Sequence, residues 1–356
     1  MFLYQIKNET IAILGCRSYD GLVEIPETID GKPVTELAAY AFSEGWGRRE
    51  MLKAAGTILL ADAEGKAKHG MEAGTETGTV EAEELPPVAC CGHLKEIILP
   101  RTIKKIGNYA FYNCFELGTI RCWSAIEDVG SGLFTGCTSI RHMDIHIVLH
   151  RRSCLKEMIS ELRQELYVNY YVESEAPAKD PVLQAKLVFP EMFEESVENT
   201  PARIIMREMH GCGHMYRYCF DGGDFRFDEY DRLFPHVKVQ EKPELAVRLA
   251  LYRLYWPCGL RESAEYEYWD YVRTHAGEGA KGLIERGERD ILGFMARSAR
   301  LGEDEIKKMI EAAAGSGDAQ SSALLLDVKH RRLSPAGRNG QGEEAKRCGR
   351  KRTFEL

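Results

Sequence analysis

An interval of 23 residues recurs in the first half of this chain and constrains its fold more than any other feature. At this interval the chain repeats a glycine, a phenylalanine with its preceding small or aliphatic residue, a cysteine and an aliphatic residue. The two copies are Gly107, Ala110, Phe111, Cys114 and Leu117, then Gly130, Leu133, Phe134, Cys137 and Ile140. Such self-similarity predicts a stacked solenoid, because one repeat cannot bury its apolar side without a neighbour. Solenoids present long surfaces more often than catalytic pockets.

Each repeat is predicted to begin with a short strand. In the clearest copy Leu94, Ile97 and Leu99 alternate with Glu96 and Ile98, which is the period of two expected of a strand with one buried face. Pro100 follows directly, and its backbone nitrogen cannot donate to a strand ladder.

Two phrases of the sequence resemble the BspA-type leucine-rich repeat family. They are EIPETIDGKPVTELAAYAF and LKEIILPRTIKKIGNYAFYNCFEL, within residues 20–42 and 94–146. The resemblance implies a right-handed stack of repeats that recognises proteins or surfaces, commonly in bacteria, and it implies no reaction.

The predicted fold class is α+β, beginning with a leucine-rich-repeat-like β-solenoid over residues 1–149. An N-terminal hairpin would cap the first repeat, whose apolar end otherwise faces water. Residues 43–92 are predicted to be a flexible insertion, because a composition rich in Gly, Thr, Ala and Glu cannot form a core. Two degenerate repeats are the alternative, since Phe42 and Phe111 are separated by three intervals.

Three further segments follow the predicted solenoid. Residues 150–240 are predicted to be a mixed α/β segment, and residues 241–334 a helical-repeat domain of stacked αα-hairpins. The helical prediction rests on short apolar stripes separated by Gly-containing turns. Residues 335–356 are Gly-rich and basic, and we expect a disordered tail.

The outward row of the repeat strands is the predicted binding face. It comprises Glu96, Ile98, Thr119, Arg121, Trp123, His142, Asp144 and His146. Trp and Arg dominate binding hot spots, so Arg121 and Trp123 are the leading candidates. Trp123 could equally pack against an adjoining domain.

A second candidate site contains metal-ligating residue types. In a strand, His210, Cys212 and His214 would share one face, and Cys219 could supply a fourth ligand for zinc. The spacing matches no common zinc module, and the intervening glycines are equally typical of a turn. We therefore expect an ordinary hairpin here and no cofactor.

Composition narrows the class of function. A net charge of −8 disfavours general nucleic-acid binding, and the basic tail has few aromatic residues nearby for base stacking. The 11 dispersed cysteines indicate free thiols in a reducing compartment. No apolar run is long enough to span a bilayer, and the simplest location is the cytoplasm.

Because nucleotide, nucleophile-elbow and zinc-protease motifs are missing, we expect a non-catalytic scaffold that binds another protein. A metal-dependent enzyme around His210, Cys212 and His214 is the alternative.

Overall fold

The chain forms two compact units, Met1–Tyr230 and Asp231–Leu356. The structure is a computed structural model that describes residues 1–44, 59–67, 86–172, 181–199 and 204–333. The α+β class and the solenoid are confirmed. The predicted tail at 335–356 lies outside the described residues, as does most of the predicted insertion.

The elements of the first unit are mostly strands. The strands are β1 (Phe2–Lys7), β2 (Thr10–Cys16), β3 (Leu22–Glu24), β4 (Thr28–Ile29), β5 (Lys32–Leu37), β6 (Leu59–Ala61), β7 (Glu96–Ile98), β8 (Lys105–Ile106), β9 (Thr119–Trp123), β10 (Asp128–Val129), β11 (His142–Ile147), β12 (Leu166–Val172), β13 (Val182–Phe189), β14 (Phe193–Asn199), β15 (Ile204–His210), β16 (Phe220–Asp221) and β17 (Asp224–Phe225). The helices are α1 (Leu155–Ser160), α2 (Gly213–Tyr216) and α3 (Phe227–Arg232), the last of which runs into the second unit.

Two sheets form the walls of the solenoid. The first has the strand order β13-β12-β11-β9-β7-β3 and is parallel except for β13. The second has the order β10-β8-β5-β2-β1-β6. The β1–β2 hairpin lies beside β5 at the N-terminal end of this second sheet, where a cap was expected.

Phenylalanines at the repeating position form a continuous stack through the core. The ring centroids of Phe42 and Phe111 are 5.3 Å apart, and those of Phe111 and Phe134 are 5.8 Å apart. Strand β3 likewise pairs directly with β7. In the described part of the chain, the turn that contains Phe42 is therefore the direct neighbour of the turn that contains Phe111.

One part of the predicted flexible insertion is instead a strand. Leu59–Ala61 pairs antiparallel with β1, which extends the second sheet by one strand. The prediction was wrong at this point because composition over fifty residues conceals a short apolar run that can pair with an exposed strand edge.

The repeated glycines allow successive turns of the solenoid to approach closely. A Cβ atom at Gly107 would lie 2.3 Å from the backbone nitrogen of Ala39, and one at Gly130 would lie 2.4 Å from that of Asn108. Both distances are impossible for a side chain. The spacing of the glycines therefore follows from stacking of the backbone itself.

The first sheet continues across the boundary predicted at residues 149/150. Strand β12 pairs in parallel with β11 along its whole length, and β13 then pairs antiparallel with β12. Strand β12 thus adds a fifth parallel strand to the solenoid. The 23-residue interval did not reveal it, because helix α1 replaces the Ala-Phe-Cys part of the repeat.

A side chain closes the end of the stack at this point. In the inner turns, the N–H groups of Tyr109 and Phe111 donate to carbonyl oxygens of the next turn, at 3.1 and 3.2 Å. The equivalent N–H groups of Gly132 and Phe134 donate instead to the two carboxylate oxygens of Glu161, at 2.9 and 3.0 Å. The Glu161 carboxylate thus replaces the two carbonyl groups of a further turn.

The second unit is helical. Its helices are α4 (Phe234–Gln240), α5 (Pro243–Tyr255), α6 (Glu262–Thr274), α7 (Ala276–Glu285), α8 (Arg289–Arg297), α9 (Glu303–Ser316) and α10 (Ala319–Leu333). Helix α7 packs against α5 and α9, while α5–α6 and α9–α10 are neighbouring pairs, as expected of αα-hairpins. None of the described helices is long and apolar enough to cross a membrane.

The second unit begins at Asp231, ten residues before the predicted boundary, and this residue forms a buried ion pair. The Arg253 guanidinium donates to both carboxylate oxygens of Asp231, at 2.7 and 2.9 Å. The hydroxyl of Tyr268 donates to the same carboxylate at 2.8 Å. Asp231 is buried, so its charge depends on these two partners.

Candidate functional site

The eight residues of the predicted face lie on the side of the first sheet that faces away from the core. Their neighbours in sequence, such as Ile97, Ile120 and Met143, are fully buried on the opposite side. The register aligns the eight in rows across the strands: Glu96, Thr119 and His142 form one row, Ile98, Arg121 and Asp144 the next, and Trp123 and His146 the third. The alternation in the sequence therefore assigned the two sides correctly.

The middle row is held together by a charge network centred on Arg121. Its guanidinium is 3.1 Å from a carboxylate oxygen of Glu96 and 3.4 Å from one of Asp144. The amide of Asn169 donates to the other oxygen of Asp144 at 2.7 Å. Because the Arg121 side chain is 47% exposed, each pair contributes at most about 1 kcal/mol to stability. The network mainly orders these side chains before any partner arrives.

The outer row is a stack of aromatic rings. The His146 ring lies between Trp123 and Tyr171, with centroid distances of 4.6 and 4.9 Å. The Arg101 guanidinium lies 5.3 Å from the centre of the Trp123 ring, within reach of a cation–π interaction. Burial, and then the Asp144 carboxylate, raise the pKa of the Tyr171 hydroxyl, so it remains a neutral donor near pH 7.

Strand β12 contributes residues that the sequence interpretation assigned to another segment. Tyr167, Asn169 and Tyr171 continue the three rows, opposite His142, Asp144 and His146 respectively. The sequence does contain a pattern that indicates β12 as a further strand of this sheet. His142–Ile147 and Leu166–Val172 have the same alternation of apolar and polar positions, about one repeat apart. Arg101 was missed because it follows the strand and reaches back over Trp123.

The predicted metal candidates are not brought together. Strand β15 ends at His210, Gly211 adopts a left-handed φ of 82°, and α2 begins at Gly213, so positions 210–214 share no strand face. His210 stacks on Phe193 at 4.6 Å, whereas Cys212 and Cys219 are buried in the core. Within the described parts of the chain, no three His, Cys, Asp or Glu side chains could hold a metal ion.

The glycines of this motif have a structural explanation in Arg217. Its buried guanidinium donates to the carbonyl oxygens of Leu162, Pro190, Gly213 and Gln164, at 2.6 to 2.9 Å. A Cβ atom at Gly213 would lie 2.1 Å from the Pro190 carbonyl oxygen and 2.8 Å from Arg217. Burial lowers the pKa of Arg217 to about 10, which still leaves it charged at neutral pH. The close approach at Gly213 therefore allows Arg217 to bind carbonyl groups of three segments, at residues 162–164, 190 and 213.

Comparison with known proteins agrees with the stacked strands and their aligned rows. Residues 89–156 match the family described as BspA type Leucine rich repeat region (6 copies). This part of the chain is therefore similar to BspA-type leucine-rich repeats. No curated protein matches the chain. No solved structure matches it either. The family supports a role in repeat-based protein interaction, and it carries no information about catalysis or about a particular partner.

Proposed function

We propose that this protein is a non-catalytic scaffold of the cytoplasm that binds another protein through the outward face of its first sheet. The main support is that this face carries both an ordered network of charged side chains and a row of aromatic rings. Its middle row is an ordered charge network around Arg121, and its outer row presents the aromatic rings of Trp123, His146 and Tyr171. Side chains that are already ordered lose little conformational entropy when a partner binds.

The distribution of binding energy in interfaces favours the outer row as the centre of contact. Hot spots are enriched in Trp, Tyr and Arg, all of which occur in this row. The middle row would instead set register and specificity, since partly exposed charge pairs add little affinity but penalise a wrong partner.

The test is affinity capture with the full chain as bait, followed by quantitative mass spectrometry. We expect proteins captured by the wild type to be lost when Arg121→Ala and Trp123→Ala are combined. Tyr112→Ala is the matched control, because Tyr112 is 37% exposed and contacts Tyr40 and Tyr109, outside the face. Capture that the double variant leaves undiminished would refute the assignment of the face.

A further inference from the structure

Two thiols and a thioether meet in the core behind strand β9. The Cys122 thiol lies 3.8 Å from the sulfur atom of Met158, and the Cys154 thiol lies 3.6 Å from the same atom. All three side chains are buried, with an exposed fraction of at most 3%. Cys122 belongs to β9, Cys154 directly precedes helix α1, and Met158 lies within that helix. The three sulfur atoms therefore meet where the strand packs against α1.

These two cysteines differ from those of the repeating turns. The thiols of Cys114 and Cys137 donate to backbone carbonyl oxygens, at 3.1 and 3.0 Å, so each has a strong acceptor. The thiols of Cys122 and Cys154 instead donate to one thioether sulfur, which is a weak acceptor. The stacking of like turns explains the first pair, but it gives no reason for three sulfur atoms to converge.

The distances between the sulfur atoms fit one bound metal ion. A metal–thiolate bond is about 2.3 Å long, so three sulfur ligands around one ion in a plane lie about 4.0 Å apart. The two measured distances, 3.6 and 3.8 Å, reach this value by shifts of a few tenths of an ångström. A methionine side chain has three rotatable bonds and makes such shifts easily. Burial, and then the neighbouring Cys154 thiol, raise the pKa of Cys122, as expected of two thiols that lie close together.

The set of ligands favours Cu(I). Thiolate and thioether sulfur are soft ligands of the kind that Cu(I) prefers, whereas structural zinc takes four ligands from Cys, His, Asp and Glu. In the described ranges of the chain, no three side chains of those four types are placed to hold an ion, so zinc lacks the further ligands it needs. Calcium and magnesium take oxygen ligands and are excluded for that reason. A three-coordinate Cu(I) ion needs only the sulfur atoms that are present.

A cavity at the surface reaches this cluster. Its volume is about 200 Å³, and Cys154 and Glu157 line it together with residues 126–129. One carboxylate oxygen of Glu157 accepts a hydrogen bond from Arg152, whereas the other is buried and has no donor within the described residues. A buried carboxylate oxygen without a donor favours a cation nearby. The cavity therefore provides an entry path for a metal ion that ends at Cys154.

We propose that Cys122, Cys154 and Met158 bind one Cu(I) ion in a trigonal arrangement of three sulfur atoms. Both thiols release their protons to solvent as two Cu–S bonds form, and the thioether donates a lone pair without losing a proton. The ion enters as Cu(I), so no electron is transferred. The backbone N–H of Ile126 hydrogen-bonds to the Cys154 sulfur and stabilises its thiolate. The bound ion joins α1 to β9 on the core side of the sheet, so this inference is independent of the proposed function.

The experiment measures competition for Cu(I) between the reduced full chain and the chelator bicinchoninate, in the absence of oxygen. Cys90 and Cys91 are changed to serine in every sample, because half-exposed thiols bind copper without a built site. We expect one Cu(I) ion per chain. Met158→Leu conserves the volume of the core and should weaken the affinity at least tenfold, and Cys154→Ala should weaken it further. The matched control Cys137→Ala removes a buried thiol outside the cluster and should leave the affinity unchanged.

X-ray absorption at the copper edge counts the ligands, and we expect three sulfur atoms in the parent chain and two in Met158→Leu. Far-UV circular dichroism establishes that each variant is folded, and Met158→Leu remains the deciding variant if Cys154→Ala does not fold. Three results would overturn the inference: no copper held against the chelator, affinity that Met158→Leu leaves unchanged, or an equal loss of affinity in Cys137→Ala. Binding of zinc in preference to Cu(I) would overturn it as well.

Discussion

Replacing Glu161 by alanine should destabilise the C-terminal end of the solenoid. The carboxylate accepts hydrogen bonds from the backbone N–H groups of Gly132 and Phe134, which in inner turns are bonded to the following turn. The substitution leaves both donors without these acceptors, beside the buried ring of Phe134. Glu161→Gln keeps one acceptor but turns an amide donor toward the other N–H group, so its effect should be intermediate.

The magnitude follows from the two bonds. Hydrogen bonds to charged groups contribute about 1.5–3 kcal/mol each, and the half-buried position of Glu161 favours the lower end. We expect Glu161→Ala to lower the free energy of unfolding of the first unit by about 3 kcal/mol. For a unit of this size the melting temperature should fall by about 6–12 °C. The matched control Glu127→Ala removes only an exposed ion pair with Arg151, so its cost should stay below about 1 kcal/mol.

Hydrogen–deuterium exchange with mass spectrometry is the most direct assay. In Glu161→Ala, peptides covering residues 130–136 should exchange faster, while peptides from the inner turn around Phe111 should be protected as in the wild type. Chemical denaturation, followed by far-UV circular dichroism, gives the free energy. Equal exchange of Gly132 and Phe134 in the wild type and the variant would show that Glu161 does not complete the stack.

Three further predictions concern the core. Phe111→Ala removes the middle ring of the stack and should lower the free energy of unfolding, measured by urea denaturation, by about 3–5 kcal/mol. The control Phe115→Ala, at a 48% exposed site, should lower it by less than about 1 kcal/mol. Equal losses in the two variants would contradict the role of the stack. Arg217→Lys should destabilise the first unit by about 3 kcal/mol or more, because an ammonium group with three donors cannot donate to all four carbonyl oxygens. A melting temperature of the variant equal to that of the wild type would refute this prediction. Burial raises the pKa of Cys16 to about 11 and that of Cys137 to about 12, so the neutral thiols stabilise the fold below pH 9, and this contribution is lost as the pH rises from 9 to 12. Urea denaturation at pH 8 and pH 10.5 should show a smaller loss in Cys16→Ala than in the wild type, and an equal loss would contradict the prediction.

Local patterns in the sequence were sufficient for the repeating part of the fold. The 23-residue interval identified the positions of Phe111, Phe134, Cys114 and Cys137, because each turn meets the next in the same way. The period of two separated the core side of each strand from the outward side. Both are properties of near neighbours, which is why one sequence could reveal them.

The limits of that reasoning lie where the repeat changes. Strand β12 joins the sheet although α1 replaces the usual second half of the turn, so the interval no longer marks it. The motif at 210–214 suggested a metal site because its residue types suit zinc, but the direction of each side chain depends on Gly211 and on the start of α2. Spacing along a chain carries no information about such a change of direction.

The sequence by itself determined that like turns stack, which residues form their core, and which side of the strands faces outward. Only the tertiary structure decided how the stack ends, how wide the outward face is, and which distant groups pair. Arg217 binds carbonyl groups up to 55 residues away, and Arg253 meets Asp231 across 22 residues. Such contacts produce no repeating pattern in the sequence, because each occurs once and pairs buried polar groups that only folding brings together.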